Sequence, residues 1–248
     1  MQLSLSTREE VEAYLGRSTA MIVPIGSTEQ HGPNGLIGTD AICAEAVARG
    51  VGEATGALVG PVIAVGMAQH HLAFAGSITL RPSTLIAYVA DYVFSLARHG
   101  FRRFFFINGH GGNIAPLSAA FSELYAAASL DTSASVPRLR CALCNWFDGP
   151  EVGRLSRELY GDRLGNHATP AEVALTQFLH PEAIKHVAMP PVAPTRRRFT
   201  DALDLRELHP DGRIGSEPSL ATPEHGRALH EAAVRDCAEA WQRFAAEP

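Results

Sequence analysis

The short apolar run Ala20-Met-Ile-Val-Pro-Ile25 leads directly into a turn-rich motif, Gly26-Ser-Thr-Glu29-Gln-His31-Gly. A run of branched apolar residues that is bounded by glycine is typical of a buried strand. If the chain stays extended through Glu29 and His31, the alternation of side chains along a strand puts both on the same face. The sequence therefore predicts a strand that delivers a carboxylate and an imidazole to one place.

Asp40 lies shortly after this motif and directly before a helical pattern over residues 41–54. A carboxylate and an imidazole this close in sequence suit zinc, manganese or iron(II), and Asp40 could return on the loop to bridge two ions. The simpler interpretation is a surface loop in which Asp40 is a helix N-cap. Each residue alone favours the simpler interpretation, whereas Glu29, His31 and Asp40 together with a later histidine favour half of a metal site.

That later histidine is His110, which follows the apolar run Arg103–Asn108 in the sequence Gly109-His-Gly-Gly-Asn113. In open α/β sheets, ligands bind at the carboxyl ends of the strands, and flanking glycines give the imidazole room to reach an ion. The alternative is a loop histidine bonded to the backbone. Ile114 breaks a dinucleotide-binding fingerprint, and the chain has no Gly-x-Ser-x-Gly elbow, which excludes two other functions of glycine-rich loops.

Composition limits the class of protein. The chain has 248 residues, of which 46% are hydrophobic, and strand and helix patterns alternate throughout, so we expect an α/β fold in one domain, residues 1–248. A net charge of -5 gives no reason to expect nucleic acid, and no apolar run approaches the roughly 20 residues that span a bilayer. With four cysteines and a polar start after Met1, the cytoplasm is the expected compartment.

Two further segments contain candidate functional residues. Thr169-Pro-Ala-Glu172 is a capping box, which is a complete structural reason for the glutamate, but a carboxylate there can also coordinate an ion above the helix start. His167, just before this turn, could exchange protons with a substrate. Of the adjacent pair His70 and His71, at most one faces a given site, and we predict a substrate contact for His71, with an exposed loop residue as the alternative.

Other motifs favour structural roles. Cys141 and Cys144 lie on a predicted strand with their side chains on opposite faces, which favours buried thiols over a zinc knuckle or a redox pair. The proline- and arginine-rich tract 187–204 is predicted to be irregular, as a lid or a subunit contact. Its run Arg196–Arg198 is most simply a solvated charge run, with a contact to an acidic substrate group as the alternative.

In order and spacing, these motifs resemble those of the creatininase family of metal-dependent amidohydrolases, and the resemblance covers most of the chain. It implies a three-layer α/β/α sandwich with a mainly parallel sheet, a cytoplasmic homo-oligomer, commonly a hexamer, and a centre of two divalent metal ions. Zn²⁺ is the expected metal, with Mn²⁺ or Fe²⁺ as alternatives. The residues that match the metal ligands of the family are Glu29, His31, Asp40 (bridging), His110 and Glu172, and the catalytic residues would be His167 and Glu172.

The chain departs from creatininase itself near the substrate. Creatininase has an aromatic residue and then a carboxylate after the histidine of the second motif, where this chain has Gly111 and Gly112. Its tryptophan-bearing lid loop has no counterpart in Asp162–Gly165, so Trp146 is the candidate lid aromatic. The predicted substrate contacts are therefore His71, Gly111, Gly112, Asn113 and Trp146.

The expected function is hydrolysis of a non-peptide carbon–nitrogen bond in a small amide, cyclic amide or formamide by a metal-activated water. Backbone N–H groups of residues 109–112 are expected to stabilise the oxyanion. Two alternatives stay open: a peptidase of the mycofactocin type, which belongs to the same family, and a non-catalytic metal-binding scaffold. Neither nucleic acid nor a membrane is expected as a partner.

Overall fold

A computed structural model describes residues 1–133, 135–192 and 198–247. Its strands are β1 (Ala20–Ile25), β2 (Leu58–Val59), β3 (Arg103–Asn108) and β4 (Arg140–Asn145). Its helices are α1 (Arg8–Leu15), α2 (Thr39–Thr55), α3 (Pro82–Ala97), α4 (Ile114–Leu130), α5 (Pro150–Tyr160), α6 (Pro170–Leu179), α7 (Ala202–Leu208) and α8 (Pro223–Ala246). The strands form one parallel sheet in the order β2-β1-β3-β4.

Helices cover both faces of this sheet. One apolar core joins the sheet to α2, α5, α6 and α8, and a second core joins the opposite face to α1, α3 and α4. Alternating side chains of β1 supply both cores, since Ile22 belongs to the first and Met21 and Val23 to the second. The structure therefore confirms the predicted three-layer α/β/α fold with a parallel sheet.

The two motif loops begin side by side. β1 and β3 are neighbouring parallel strands, and Ile25 pairs with Asn108 at their carboxyl ends. The loop that contains Glu29 and His31 therefore leaves the sheet next to the loop that contains His110. The same edge of the sheet was expected to hold a ligand.

Two glycines let the first turn of α2 pack against these strand ends. A Cβ on Gly26 would overlap the backbone of Asp40 and Ala41, and a Cβ on Gly109 would overlap the Asp40 carbonyl oxygen. Asp40 lies inside the first turn of α2, and the N-cap is Gly38. Asp40 is therefore not the helix cap that the simpler interpretation required, and its carboxylate is free to face the strand ends.

The structure corrects two predicted segments. The strand expected over residues 58–65 is regular only as far as Val59, because Pro61 has no N–H for the ladder, although Ile63 N–H still donates to the Pro24 carbonyl oxygen over 3.0 Å. The tract predicted to be irregular contains the first residues of α7, which Asp201 caps by accepting two backbone N–H groups. Arg196 and Arg197 of the predicted charge run lie outside the described residues.

The cysteines behave as expected. Cys141 packs against the core on one face of the sheet, and Cys144 packs against the core on the other. All four cysteines are free thiols, and the Cys144 Sγ lies 3.4 Å from the Cys237 Sγ. No helix in the described part of the chain has the length and apolar character needed to cross a bilayer.

Candidate metal centre

Glu29 and His31 lie in the loop between β1 and α2, not in an extension of the strand. Glu29 N–H donates to the Ile37 carbonyl oxygen over 2.8 Å, and Gly35 N–H donates to the His31 carbonyl oxygen over 3.1 Å, so the loop folds back on itself. The strand therefore ends at Ile25 and does not continue through Glu29 and His31. Both side chains are nevertheless buried at the carboxyl edge of the sheet.

Five side chains converge at this edge. The Asp40 carboxylate lies between two imidazoles, with Oδ1 3.0 Å from His31 Nε2 and Oδ2 3.1 Å from His110 Nδ1. Glu29 Oε1 lies 3.2 Å from His110 Nδ1, and Glu172 Oε2 lies 3.9 Å from His31 Nε2. The five predicted metal ligands thus meet around Asp40.

Backbone carbonyls orient the two imidazoles. His31 Nδ1 is 3.1 Å from the Glu29 carbonyl oxygen, and His110 Nε2 is 3.0 Å from the Met67 carbonyl oxygen. If the nitrogen next to each carbonyl carries the proton, the other nitrogen faces the carboxylates with a lone pair. Metal-binding histidines are usually held in this way, with one ring nitrogen bonded to a carbonyl or carboxylate and the other on the ion.

The electrostatics of these groups are strongly perturbed. Burial raises the pKa of Glu29, and the nearby Asp40 charge raises it further. Burial alone would lower the pKa of His31, but the Asp40 carboxylate outweighs burial and raises it to about 10. Burial alone would also lower the pKa of His110, but the charges of Glu29 and Asp40 outweigh it and hold this pKa well above its usual range. Without metal, the imidazoles therefore hold protons that compensate the buried carboxylates.

Divalent cations fit this donor set. Both carboxylate oxygens of Glu29 and the Oδ2 of Asp40 are buried without a well-aligned hydrogen bond from the described residues, although imidazole nitrogens lie 3.1 to 3.2 Å from Glu29 Oε1 and Asp40 Oδ2. Buried carboxylates are costly unless cations or hydrogen bonds compensate them. Three sets of donor atoms are close enough to share an ion: Glu29, Asp40 and His110 form the first, His31, Asp40 and Glu172 the second, and Glu29, His31 and His167 the third. Asp40 belongs to the first two.

Glu172 has a structural role as well. The predicted capping box is present, since Thr169 N–H donates to Glu172 Oε1 and Glu172 N–H donates to Thr169 Oγ1 over 3.2 Å. Because Oε1 serves the cap, Oε2 is the oxygen that faces His31. Burial raises the pKa of Glu172. Glu172 can therefore cap α6 through Oε1 and still offer Oε2 to a metal ion beside His31.

His167 lies against the same cluster. Its Nε2 is 2.8 Å from the Gln30 carbonyl oxygen, and its Nδ1 is 3.7 Å from Glu29 Oε1. Burial, followed by the charge on His31, holds the pKa of His167 well below its usual value. His167 is therefore a neutral imidazole near the predicted metal ligands, with Nδ1 able to accept a proton.

His71, a predicted substrate contact, is not among the residues that line the cavity beside this cluster. It is buried, with Nε2 3.2 Å from Glu29 Oε1 and Nδ1 2.9 Å from Gln30 Nε2. Gln30, which the sequence analysis missed, also places its amide nitrogen 3.0 Å from His167 Nε2 and 3.0 Å from the Gly212 carbonyl oxygen. The sequence signal for a role of Gln30 at this site was its position between two predicted metal ligands, Glu29 and His31.

A cavity of about 390 Å³ opens beside this cluster. Asp40, His110, His167 and Glu172 line it, and so do two of the predicted substrate contacts, Gly111 and Trp146. Trp146 is 1% exposed, and its indole nitrogen has no hydrogen-bond partner among the described residues. A larger cavity of about 630 Å³, lined by Lys185, His186 and Glu224 among others, contains none of the cluster residues.

The rest of the glycine loop makes hydrogen bonds within the fold. Asn113 donates to the Gly26 carbonyl oxygen over 2.9 Å and accepts from Met67 N–H over 3.0 Å, and neither Asn113 nor Gly112 lines the cavity. Gly109 N–H donates to the Ile25 carbonyl oxygen, and His110 N–H donates to the Asn108 side chain. Because these two N–H groups are engaged, they do not serve as the predicted oxyanion donors.

The fold and the site together define a class: three-layer α/β/α proteins whose buried imidazoles and carboxylates are arranged to bind divalent metal. The family model described as creatinine amidohydrolase matches residues 4–241. The chain therefore belongs to the creatininase family and is a hydrolase of that family.

Individual relatives agree with this assignment. A mycofactocin precursor peptide peptidase from Mycobacterium tuberculosis (strain CDC 1551 / Oshkosh) is 31% identical over 241 residues, which cover 93% of this chain and 88% of the relative. A creatinine amidohydrolase from Pseudomonas putida is 28% identical over 192 residues, which cover 72% of this chain and 71% of the relative. A solved structure called "Creatininase Mn" has the same fold, with a TM-score of 0.85 at 24% identity over 99% of each chain.

Proposed function

We propose that residues 1–248 form one catalytic domain that hydrolyses a non-peptide carbon–nitrogen bond of a small amide, cyclic amide or formamide at a two-metal centre. The observation that carries this proposal is the position of Asp40, whose two carboxylate oxygens face different histidines, His31 and His110. A carboxylate with one oxygen on each side is suited to bridge two ions. Glu29 and His110 would complete one ligand set, and His31 and Glu172 the other.

The donor atoms are imidazole nitrogens and carboxylate oxygens, which suit Zn²⁺ first and Mn²⁺ or Fe²⁺ as alternatives. When bound, a pair of such ions would supply the Lewis acidity that activates water and polarises the amide carbonyl. The protein supplies a buried, preorganised set of ligands, because Met67 and Glu29 carbonyl oxygens fix the two imidazoles.

His167 is the proposed proton carrier. Its low pKa leaves the imidazole neutral at neutral pH, and its Nε2–H is held on the Gln30 carbonyl oxygen. Nδ1 is therefore free to accept the proton of the attacking water and to pass it to the leaving nitrogen. Gln30 and His71 act through other residues: the backbone carbonyl oxygen of Gln30 accepts from His167 and positions it, and His71 donates towards Glu29.

The cavity beside the cluster is the proposed substrate site. Its volume of about 390 Å³ suits a small molecule better than a folded protein segment. Trp146 supplies an apolar wall and an unpaired indole N–H, and Gly111 leaves open space at the entrance to His110, since no atom lies within 4 Å of the position of a Cβ there.

A peptidase of the mycofactocin type is the second candidate. The observation that favours it is the 31% identity to the mycobacterial peptidase over 93% of this chain. The proposed chemistry at the metal centre is the same in both cases, so the two candidates differ only in what occupies the cavity. The family resemblance also supports a cytoplasmic homo-oligomer, a hexamer in particular, which light scattering of the purified protein would test.

The proposal is tested by metal analysis of the purified protein, followed by chelation and metal add-back. Hydrolysis is measured with creatinine, formamides and small cyclic amides, and in parallel with a short peptide. We expect activity on at least one amide to disappear on chelation and to return with Zn²⁺ or Mn²⁺. Activity on the peptide alone would favour the second candidate, and activity that survives complete metal removal would overturn both.

A further inference from the structure

One wall of the substrate cavity comes from a single face of α5. Val152, Gly153, Ser156 and Arg157 all line the cavity, and their spacing of one, three and one residues places them on one side of a helix. Arg154 and Glu158 lie elsewhere on the helix surface and do not line the cavity. The Arg157 guanidinium folds back along this wall, with Nη1 3.4 Å from the position of a Cβ on Gly153.

Arg157 is an unpaired cation in this cavity. The other arginines near it have partners: Arg154 pairs with Glu158 at 2.7 Å, and Arg235 pairs with Glu151 at 2.8 Å. Among the described residues, no carboxylate forms an ion pair with Arg157. Its guanidinium therefore presents unused N–H donors beside the centre that contains Asp40 and Glu172.

From these contacts we infer that Arg157 binds a carboxylate of the substrate, so that the substrates are small amides that carry a carboxylate away from the bond that is cleaved. This inference depends on the proposed function, because it treats the cavity as the substrate site. The planar guanidinium matches the two oxygens of a carboxylate. Asp148 also lines the cavity, held by Asn145 Nδ2 over 2.7 Å, and its negative charge disfavours a dianion such as phosphate more than a carboxylate, which carries a single charge.

The position of Arg157 also orients the substrate. A free carboxylate would otherwise compete for the metal ions, which attract anions more strongly than a neutral amide. Arg157, on the part of the wall that α5 supplies, holds the carboxylate and leaves the amide to face His110 and His167. Arg157 is thus a specificity-determining residue that acts on substrate orientation, not on the chemical step.

The alternative explanation is structural. Arg157 lies in the last turn of α5, where a cation interacts favourably with the helix dipole. This explanation predicts an effect on stability and none on ligand preference. The two roles are therefore separable by measuring ligand binding and thermal unfolding in the same variants.

The test uses the metal-loaded protein and two matched probes, N-acetylglycine and N-acetylglycinamide, which differ only in carboxylate against carboxamide. Calorimetry should show about tenfold tighter binding of N-acetylglycine, the gain of one charge-assisted hydrogen-bonded pair. Arg157→Gln should remove this preference, and Arg157→Lys should keep part of it because the charge remains. Arg154→Gln, on the same helix but outside the cavity, should bind both probes like the wild type.

Any preference for N-acetylglycine over N-acetylglycinamide that remains in Arg157→Gln measures carboxylate binding by the metal ions themselves. The inference is overturned if Arg157→Gln retains the wild-type preference, or if the wild type shows none, including the case in which neither probe binds. Failure of the proposed function looks different. In that case the Arg157-dependent preference is present, but no amide is hydrolysed with any metal.

Discussion

The two ends of the substrate cavity differ in how their charges are balanced. At the metal end, Glu29, Asp40 and His110 are almost fully buried and perturb one another through contacts of 3.1 to 3.2 Å. At the α5 end, Arg157 is exposed and has no ion-pair partner among the described residues. The buried carboxylates of the metal end need cations or protons between them, whereas the exposed guanidinium of Arg157 is hydrated by solvent and needs no ligand. On the proposed function the metal end would determine the chemistry, and on our inference for Arg157 the α5 end would determine which molecule is presented to it.

The strongest test of this contrast replaces a histidine of the metal end. His110→Ala removes a nitrogen that faces both Glu29 and Asp40. Loss of even an outer partner of a metal ligand typically costs 10- to 100-fold in metal affinity or activity, so we expect a loss of activity beyond about 100-fold. Metal content should fall in parallel, as measured by elemental analysis.

His99→Ala is the matched control, because His99 is exposed near the end of α3 and far in sequence from every predicted ligand. It should keep metal content and activity. Circular dichroism should show the same fold for both variants. Wild-type metal content in His110→Ala would remove this residue from the centre.

A smaller effect is expected at Glu172, where one oxygen caps α6 and the other faces His31. Glu172→Gln keeps an oxygen for the cap but removes the charge, so we expect about a tenfold or greater loss of metal affinity with little change in stability. Thr169→Ala should do the reverse, costing about 1 kcal/mol of folding free energy through the lost cap while keeping the metals. Metal titration and denaturant unfolding of both variants separate the two roles, and equal metal affinity in Glu172→Gln and wild type would reduce Glu172 to a cap.

The smallest effect is expected at the wall between the two ends. Trp146→Phe removes an indole N–H that is buried without a partner, while it keeps an aromatic surface. If the substrate accepts that hydrogen bond, KM should rise about fivefold, the equivalent of roughly 1 kcal/mol, with metal content unchanged. A KM equal to that of the wild type, measured on whichever amide is hydrolysed, would exclude the contact.

The metal end was largely predictable from sequence. β1 and β3 were predicted at their observed bounds, and parallel neighbouring strands bring their carboxyl ends together, so the loops with His31 and His110 had to meet. The motif residues are close together in sequence, which limits where their side chains can lie. Asp40 was predicted on the loop before a helix that begins at residue 41, whereas it lies inside α2, a position that depends on the close approach that Gly26 and Gly109 permit.

The α5 end was not predictable in the same way. Arg157 has no motif around it, and its position in the cavity follows from how α5 packs on the sheet and α8, which is a tertiary result. His71 was chosen over His70 as the histidine that faces the site, and it does turn inwards, with Nε2 3.2 Å from Glu29 Oε1. Gln30 was overlooked because an amide has no characteristic metal chemistry, although its contacts with His71 and His167 link both imidazoles.

The central claim is that two metal ions lie on either side of Asp40. Anomalous diffraction from crystals grown with Mn²⁺ or Zn²⁺, recorded at the absorption edge of the metal, tests it directly. The account predicts two peaks roughly 3.5 to 4 Å apart, one beside Glu29 and His110 and the other beside His31 and Glu172. A single peak, or peaks away from Asp40 in a fully loaded crystal, would contradict it.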